Sequence, residues 1–163
     1  MAGEAAQLKE KVSAAAVMQA VELKKYFPVK RSNHWPWSKQ QAVKAVDGVS
    51  LEIRAHEIFG LAGESGCGKS TVGRLLLGLI GATAGQILFQ GEDITKCSAA
   101  ALKKMRPKMQ MVFQDPYTSL NPRRTVSSIV SDPLIVHTAL SHAERRKLVQ
   151  QMLEKVGLAS DHY

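Results

Sequence analysis

The sequence predicts an α/β protein, and three observations carry that class. An apolar run at residues 58–62 (IFGLA) stops at a glycine cluster, and residues 70–80 (STVGRLLLGLI) then have helical length and few polar positions. Upstream, Val49, Leu51 and Ile53 alternate with Ser50, Glu52 and Arg54, the period of a sheet with one wet face. Downstream, two helical patterns follow short apolar runs. With 163 residues, 45% hydrophobic and 22% charged, the chain can bury a core of its own, which excludes disordered, collagen-like and disulfide-scaffold classes.

Taken in order, residues 1–16 are rich in Ala, Glu, Lys and Gln and predict a loose tail or frayed helix. From Val17, Val21 and Leu23 alternate with Glu22 and Lys24, a half-buried strand that ends at Tyr26 and Phe27 and is closed by Pro28. Residues 30–41 (KRSNHWPWSKQQ) form a polar, Trp-bearing loop. Asp47-Gly48 is a turn signal between two strand-like runs of residues 42–53, which predicts an antiparallel pair. Residues 58–62 are apolar nearly throughout, as a strand buried on both faces would be. The helix over residues 70–80 ends at the glycines of residues 81–85, and a short strand at residues 86–89 turns at Gly91. Residues 102–108 are basic and close at Pro107; residues 109–113 predict another short buried strand, followed by a Pro/Asn-rich turn over residues 115–122. Residues 126–136 predict a helix. Ser141 and Glu144 make a capping box before a second one, whose apolar face is Leu148, Val149, Met152, Leu153 and Val156 and whose stop is Gly157.

Lys and Arg total 22 against 14 Asp and Glu, a formal charge of +8, which suits anionic partners without choosing among them. Cys67 and Cys97 belong to no CxxC or Cys/His cluster, so neither a zinc site nor a disulfide framework is expected. His34, His56, His137, His142 and His162 show no ligand spacing. No apolar run approaches the ~18 residues of a spanning helix, and Ser13 and Gln19 interrupt the only stretch resembling a signal peptide. A cytoplasmic chain without direct membrane insertion is the expectation.

The chemistry lies in Gly63-Glu64-Ser65-Gly66-Cys67-Gly68-Lys69-Ser70-Thr71, which fits G-x-x-x-x-G-K-[ST] between a predicted strand and a predicted helix. Gly63, Gly66 and Gly68 allow φ > 0 and close approach of the backbone to a ligand. Successive N–H groups at the start of the next helix then favour an anion. Lys69 reaches the β- and γ-phosphates of a nucleoside triphosphate, and the Ser70 hydroxyl ligates Mg²⁺. This is the phosphate loop of a P-loop nucleoside triphosphatase fold. By itself it leaves open a small P-loop kinase, with Arg123 and Arg124 as a lid. It also leaves a non-catalytic nucleotide- or nucleic-acid-binding module using the basic groups Lys24, Lys25, Lys30, Arg31, Lys103, Lys104, Arg106 and Lys108. No nucleic-acid motif is present, and nucleic acid is not the expected partner.

GESGCGKST, preceded by VDGVSLEI and followed by GRLLLGLI, resembles the nucleotide-binding subunit of an ATP-binding cassette (ABC) transporter. Residues 109–126 (MQMVFQDPYTSLNPRRTV) resemble the Q-loop region of the oligopeptide, dipeptide and nickel importer ATPases. The similarity runs from about Val17 to the end. It implies an ATPase core over residues 17–115 with an antiparallel β subdomain, and the start of a helical subdomain facing the membrane subunits over residues 116–163. It implies further that Gln114 is the Q-loop glutamine, touching Mg²⁺ and the attacking water, and that Tyr26 stacks on adenine. Cys67 occupies a place where the family often has a small residue or Cys, and a small buried side chain is expected there. The implied cofactors are ATP and Mg²⁺. The implied partners are membrane-spanning permease subunits and a second ATPase subunit, at the inner face of the cell membrane. The family pattern goes on to a signature motif, a Walker B strand and a switch histidine that these residues do not contain. The expectation is therefore an N-terminal part of such a subunit, without turnover of its own and poorly stable because residues 58–62 would lack a strand neighbour.

Overall fold

The computed structural model describes residues 16–29, 41–115 and 119–158. The alternating patterns become two long strands, β1 (Ala16–Pro28) and β2 (Ala42–Arg54). They are followed by helix α1 (Lys69–Leu76), strands β3 (Ala84–Phe89) and β4 (Glu92–Asp93), and helix α2 (Ala99–Met105) with a 3₁₀ turn at Arg106–Lys108. Helices α3 (Val126–His137) and α4 (His142–Lys155) complete the described chain. Contacts divide it into two units, residues 1–103 and 104–163.

In the first unit the strands form one antiparallel sheet in the order β2-β1-β3-β4. Ala20 pairs with Leu51 on one side and with Ile87 on the other, and Tyr26 pairs with Lys44. Met18 and Ala20 lie inside, and a register shift between Ala20 and Leu23, with Glu22 at φ 48°, resets the parity so that Leu23 is inside too. Val46, Ile87 and Phe89 join them, and α1 adds Val72, Leu75 and Leu76. Leu23 and Leu75 are fully buried, so this is where the apolar area that drives folding is removed from water.

The second unit is built by α3 and α4, which contact each other. Thr125 caps α3 by accepting from Ser128 N at 3.3 Å, and Arg124 clamps Asp132 with two guanidinium N–H groups. The expected capping box of α4 is present: Ser141 Oγ accepts from Glu144 N at 3.3 Å, and Glu144 Oε2 accepts from Ser141 N at 2.7 Å. Val149 and Leu153 are buried, whereas Met152 and Val156 of the expected apolar face are exposed. Among the described residues, no helix is long and apolar enough to cross a membrane.

Several sequence expectations are corrected. Asp47-Gly48 is not a hairpin turn: both residues lie within the continuous β2, whose partner is β1, and Gly48 at φ 79° absorbs an irregularity in the ladder. The helix expected over residues 70–80 is shorter, Lys69–Leu76, and ends as Gly78 turns to φ 61°. Residues 58–62 form no strand; Ile58 is 100% exposed, and Phe59 and Leu61 are exposed too. Residues 109–113 likewise form no strand, with Val112 and Phe113 exposed. The physical reason is shared. A buried strand needs a ladder neighbour for its N–H and C=O groups, and no described strand pairs with either run. Residues 1–15 of the expected tail and residues 30–40 of the Trp-bearing loop lie outside the described residues.

Candidate functional site

The glycine-rich turn delivers the chain into α1. Gly68 is the N-cap residue at φ 99°, no side chain caps the helix, and its first turn carries no acidic residue. The positive end of α1 is therefore met by no side-chain acceptor and no neighbouring carboxylate of its own first turn. Gly68 is required twice over: its φ is left-handed, and a Cβ there would lie 2.2 Å from the Ala45 carbonyl oxygen of β2. The turn is thus packed directly against β2.

Lys69, the first residue of α1, folds back across the turn. Its ammonium donates to the carbonyl oxygens of Gly63 at 2.7 Å and Glu64 at 2.5 Å, and lies 3.5 Å from Cys67 Sγ. Cys67 N donates to Glu64 O at 3.3 Å, which closes the turn. Glu64, Ser65, Cys67 and Ser70 are exposed, and Thr71 is half-buried. Cys67 is therefore not the small buried side chain expected; its thiol is exposed, on the Lys69 side of the turn. A long, flexible ammonium arm, an uncapped helix start and glycine-permitted close approach fit a polyphosphate, and the exposed Ser70 hydroxyl fits a Mg²⁺ ligand beside it.

Tyr26, near the end of β1, is half-buried. Its backbone N donates to Thr83 Oγ1 at 3.0 Å, its hydroxyl donates to the Asp47 carboxylate, and the Lys44 ammonium lies 5.5 Å from its ring centroid. Lys44 also pairs with Asp47 at 3.1 Å. The bond to Asp47 pushes the Tyr26 phenol up, and the bonds from Tyr26 and then Lys44 hold the Asp47 carboxyl below its ordinary value. Register ties this cluster to the phosphate loop: Tyr26 faces Lys44 on β2, and Gly68 abuts the next two residues of that strand, Ala45 and Val46. The sequence offers Asp47 only as a turn residue and gives Lys44 no role, because their proximity to Tyr26 depends on a register that bulges reset. Gln114 is exposed in the second unit, outside any helix or strand.

The ABC transporter family profile matches residues 46–163. The chain belongs to the ABC transporter family. It is 45% identical over 147 residues to the dipeptide transport ATP-binding protein DppF of Escherichia coli, covering 90% of this chain and 43% of that protein. It is 47% identical over 143 residues to the oligopeptide transport ATP-binding protein AppF of Bacillus subtilis, covering 87% of this chain and 43% of the relative. This ABC-family chain thus spans less than half the length of the curated relatives it matches. Its fold is that of solved ABC cassettes. The ADP- and phosphate-bound dimer of the cassette MJ0796 matches with a TM-score of 0.70 at 24% identity, over 89% of this chain and 59% of that one.

Proposed function

We propose that this chain is the nucleotide-binding part of the ATP-binding subunit of an ABC importer for peptides or a related small solute. The observation that carries the reading is the Lys69 ammonium folded over a glycine-rich turn at an uncapped helix start. Its identity to peptide-transport ATP-binding proteins supports the solute class. Binding of ATP exchanges the Gly63 and Glu64 carbonyls for β- and γ-phosphate oxygens on the Lys69 ammonium, a rotation about one flexible side chain. The amides that start α1 donate to the same phosphates, and the Ser70 hydroxyl would hold Mg²⁺. Mg²⁺, when bound, neutralises phosphate charge and fixes the triphosphate geometry. Gln114 would help hold the metal and the attacking water and sense the γ-phosphate, while Tyr26 stacks on adenine.

In the whole transporter, two such subunits close around nucleotide and drive membrane-spanning permease subunits from the cytoplasmic face of the membrane. The sequence of residues 1–163 holds no apolar run ending in Asp-Glu to orient water. By themselves they bind Mg-ATP weakly and release no phosphate above background.

Lys69→Ala tests the site. Removing a charged donor from phosphate contacts worth about 1.5–3 kcal/mol lowers ATP affinity about 10- to 100-fold. Equilibrium dialysis with labelled ATP measures this, and an unchanged affinity refutes the assignment.

A further inference from the structure

We infer that Asp47 is a positioning residue for adenine recognition, holding the Tyr26 ring in the orientation in which a base can stack on it. This deepens the nucleotide-binding reading and rests on it.

The cluster fixes Tyr26 at three points, one on its backbone and two on its side chain. Thr83 holds the Tyr26 backbone at 3.0 Å, the Asp47 carboxylate accepts from the phenol hydroxyl, and Lys44 sits over the ring 5.5 Å from its centroid. Lys44 is itself held by Asp47 at 3.1 Å, so one carboxylate organises both the ring and the cation above it. Without Asp47 the half-buried Tyr26 loses the bond that fixes its hydroxyl, and more of the ordering of its ring falls to the ligand. With Asp47, that ordering precedes binding. The Lys44 ammonium takes one face of the ring, so a stacking base takes the other. The cluster is also correctly placed along the strand. The phosphate loop abuts β2 through Gly68 at Ala45 and Val46, and Lys44, the residue facing Tyr26, is the next one along. All three side chains lie outside the buried core.

The test compares ATP with inorganic tripolyphosphate, which has the phosphates but no base, in competition dialysis on the 163-residue chain. Asp47→Ala and Tyr26→Phe, which removes only the hydroxyl, each lower ATP affinity about three- to tenfold, as expected for one aromatic contact, and leave tripolyphosphate affinity unchanged. Asp47→Asn, which keeps a hydrogen-bond acceptor, restores most of the loss. The double variant Asp47→Ala with Tyr26→Phe is no weaker than either single one. The Tyr26 phenol titrates lower in Asp47→Ala than in the parent chain, read from its ring resonance. The inference is overturned if Asp47→Ala binds ATP as the parent does, or if it weakens ATP and tripolyphosphate equally. If the parent chain itself shows no preference for ATP over tripolyphosphate, stacking on Tyr26 falls and the inference with it. If Lys69→Ala binds both as the parent does, the phosphate site itself falls.

Discussion

Leu23 and Ile58 are both aliphatic residues in runs whose sequence predicts a strand, yet Leu23 is fully buried and Ile58 is 100% exposed. Leu23 lies in β1, which has β2 on one side and β3 on the other. Ile58 lies in a run with no ladder neighbour among the described residues. The difference teaches that apolar character nominates a strand, and hydrogen-bonding neighbours decide whether it forms. The second unit repeats the lesson. Val149 and Leu153 are buried on a helix that satisfies its own backbone, while Val112 and Phe113, in a run that would need partners, are exposed.

The sharpest way to break this comparison is substitution at the two poles. Leu23→Ala removes a fully buried side chain and lowers stability by about 2–5 kcal/mol in urea unfolding, whereas Ile58→Ala stays within about 0.5 kcal/mol. Equal costs would show that Ile58 is packed in solution. Gly68→Ala comes next, at about 1–3 kcal/mol, since it combines a left-handed backbone with a collision against the Ala45 carbonyl. A variant with parental stability and parental nucleotide affinity would show that the turn stands away from β2. Third, the exposed run makes the chain self-associate, and Ile58→Lys with Phe59→Asp reduces the sedimentation-equilibrium mass toward that of a monomer. A monomeric parent chain would contradict this.

The smallest effect concerns the self-sufficient helix. Glu144 is held below its ordinary value of 4.5, first by the Ser141 hydroxyl and then by the Ser141 backbone N–H. A carboxyl depressed in the folded state stabilises above its unfolded value and loses that contribution as pH falls through and below it. The α4 helix therefore frays modestly on acidification below about pH 4.5. Glu144→Gln weakens this response, seen in amide exchange of residues at the start of α4. An identical acid response in both proteins would remove Glu144 as its cause.

What was legible follows the same division. The phosphate loop could be found because its spacing encodes the turn itself, from Gly63 to Thr71. β1 and β2 were legible because Val21, Leu23, Val49, Leu51 and Ile53 alternate, and the Ser141–Glu144 box because its bonds span three residues. Asp47-Gly48 misled because a bulge and a hairpin turn ask the same of a glycine. The Tyr26–Asp47–Lys44 cluster was invisible, since shifts between Leu23 and Lys24 and between Lys25 and Tyr26 decide which residues meet. Residues 58–62 and 109–113 failed as strands because no local pattern states whether a neighbour will be present.

The Lys69 ammonium bonded to Gly63 and Glu64 has a consequence for how this turn meets a ligand. The cation ties the two ends of its own loop together, as a staple would, so the shape of the loop is held by the very group that an incoming polyanion must win over. Occupancy and loop geometry are thereby governed by a single competition for one positive charge.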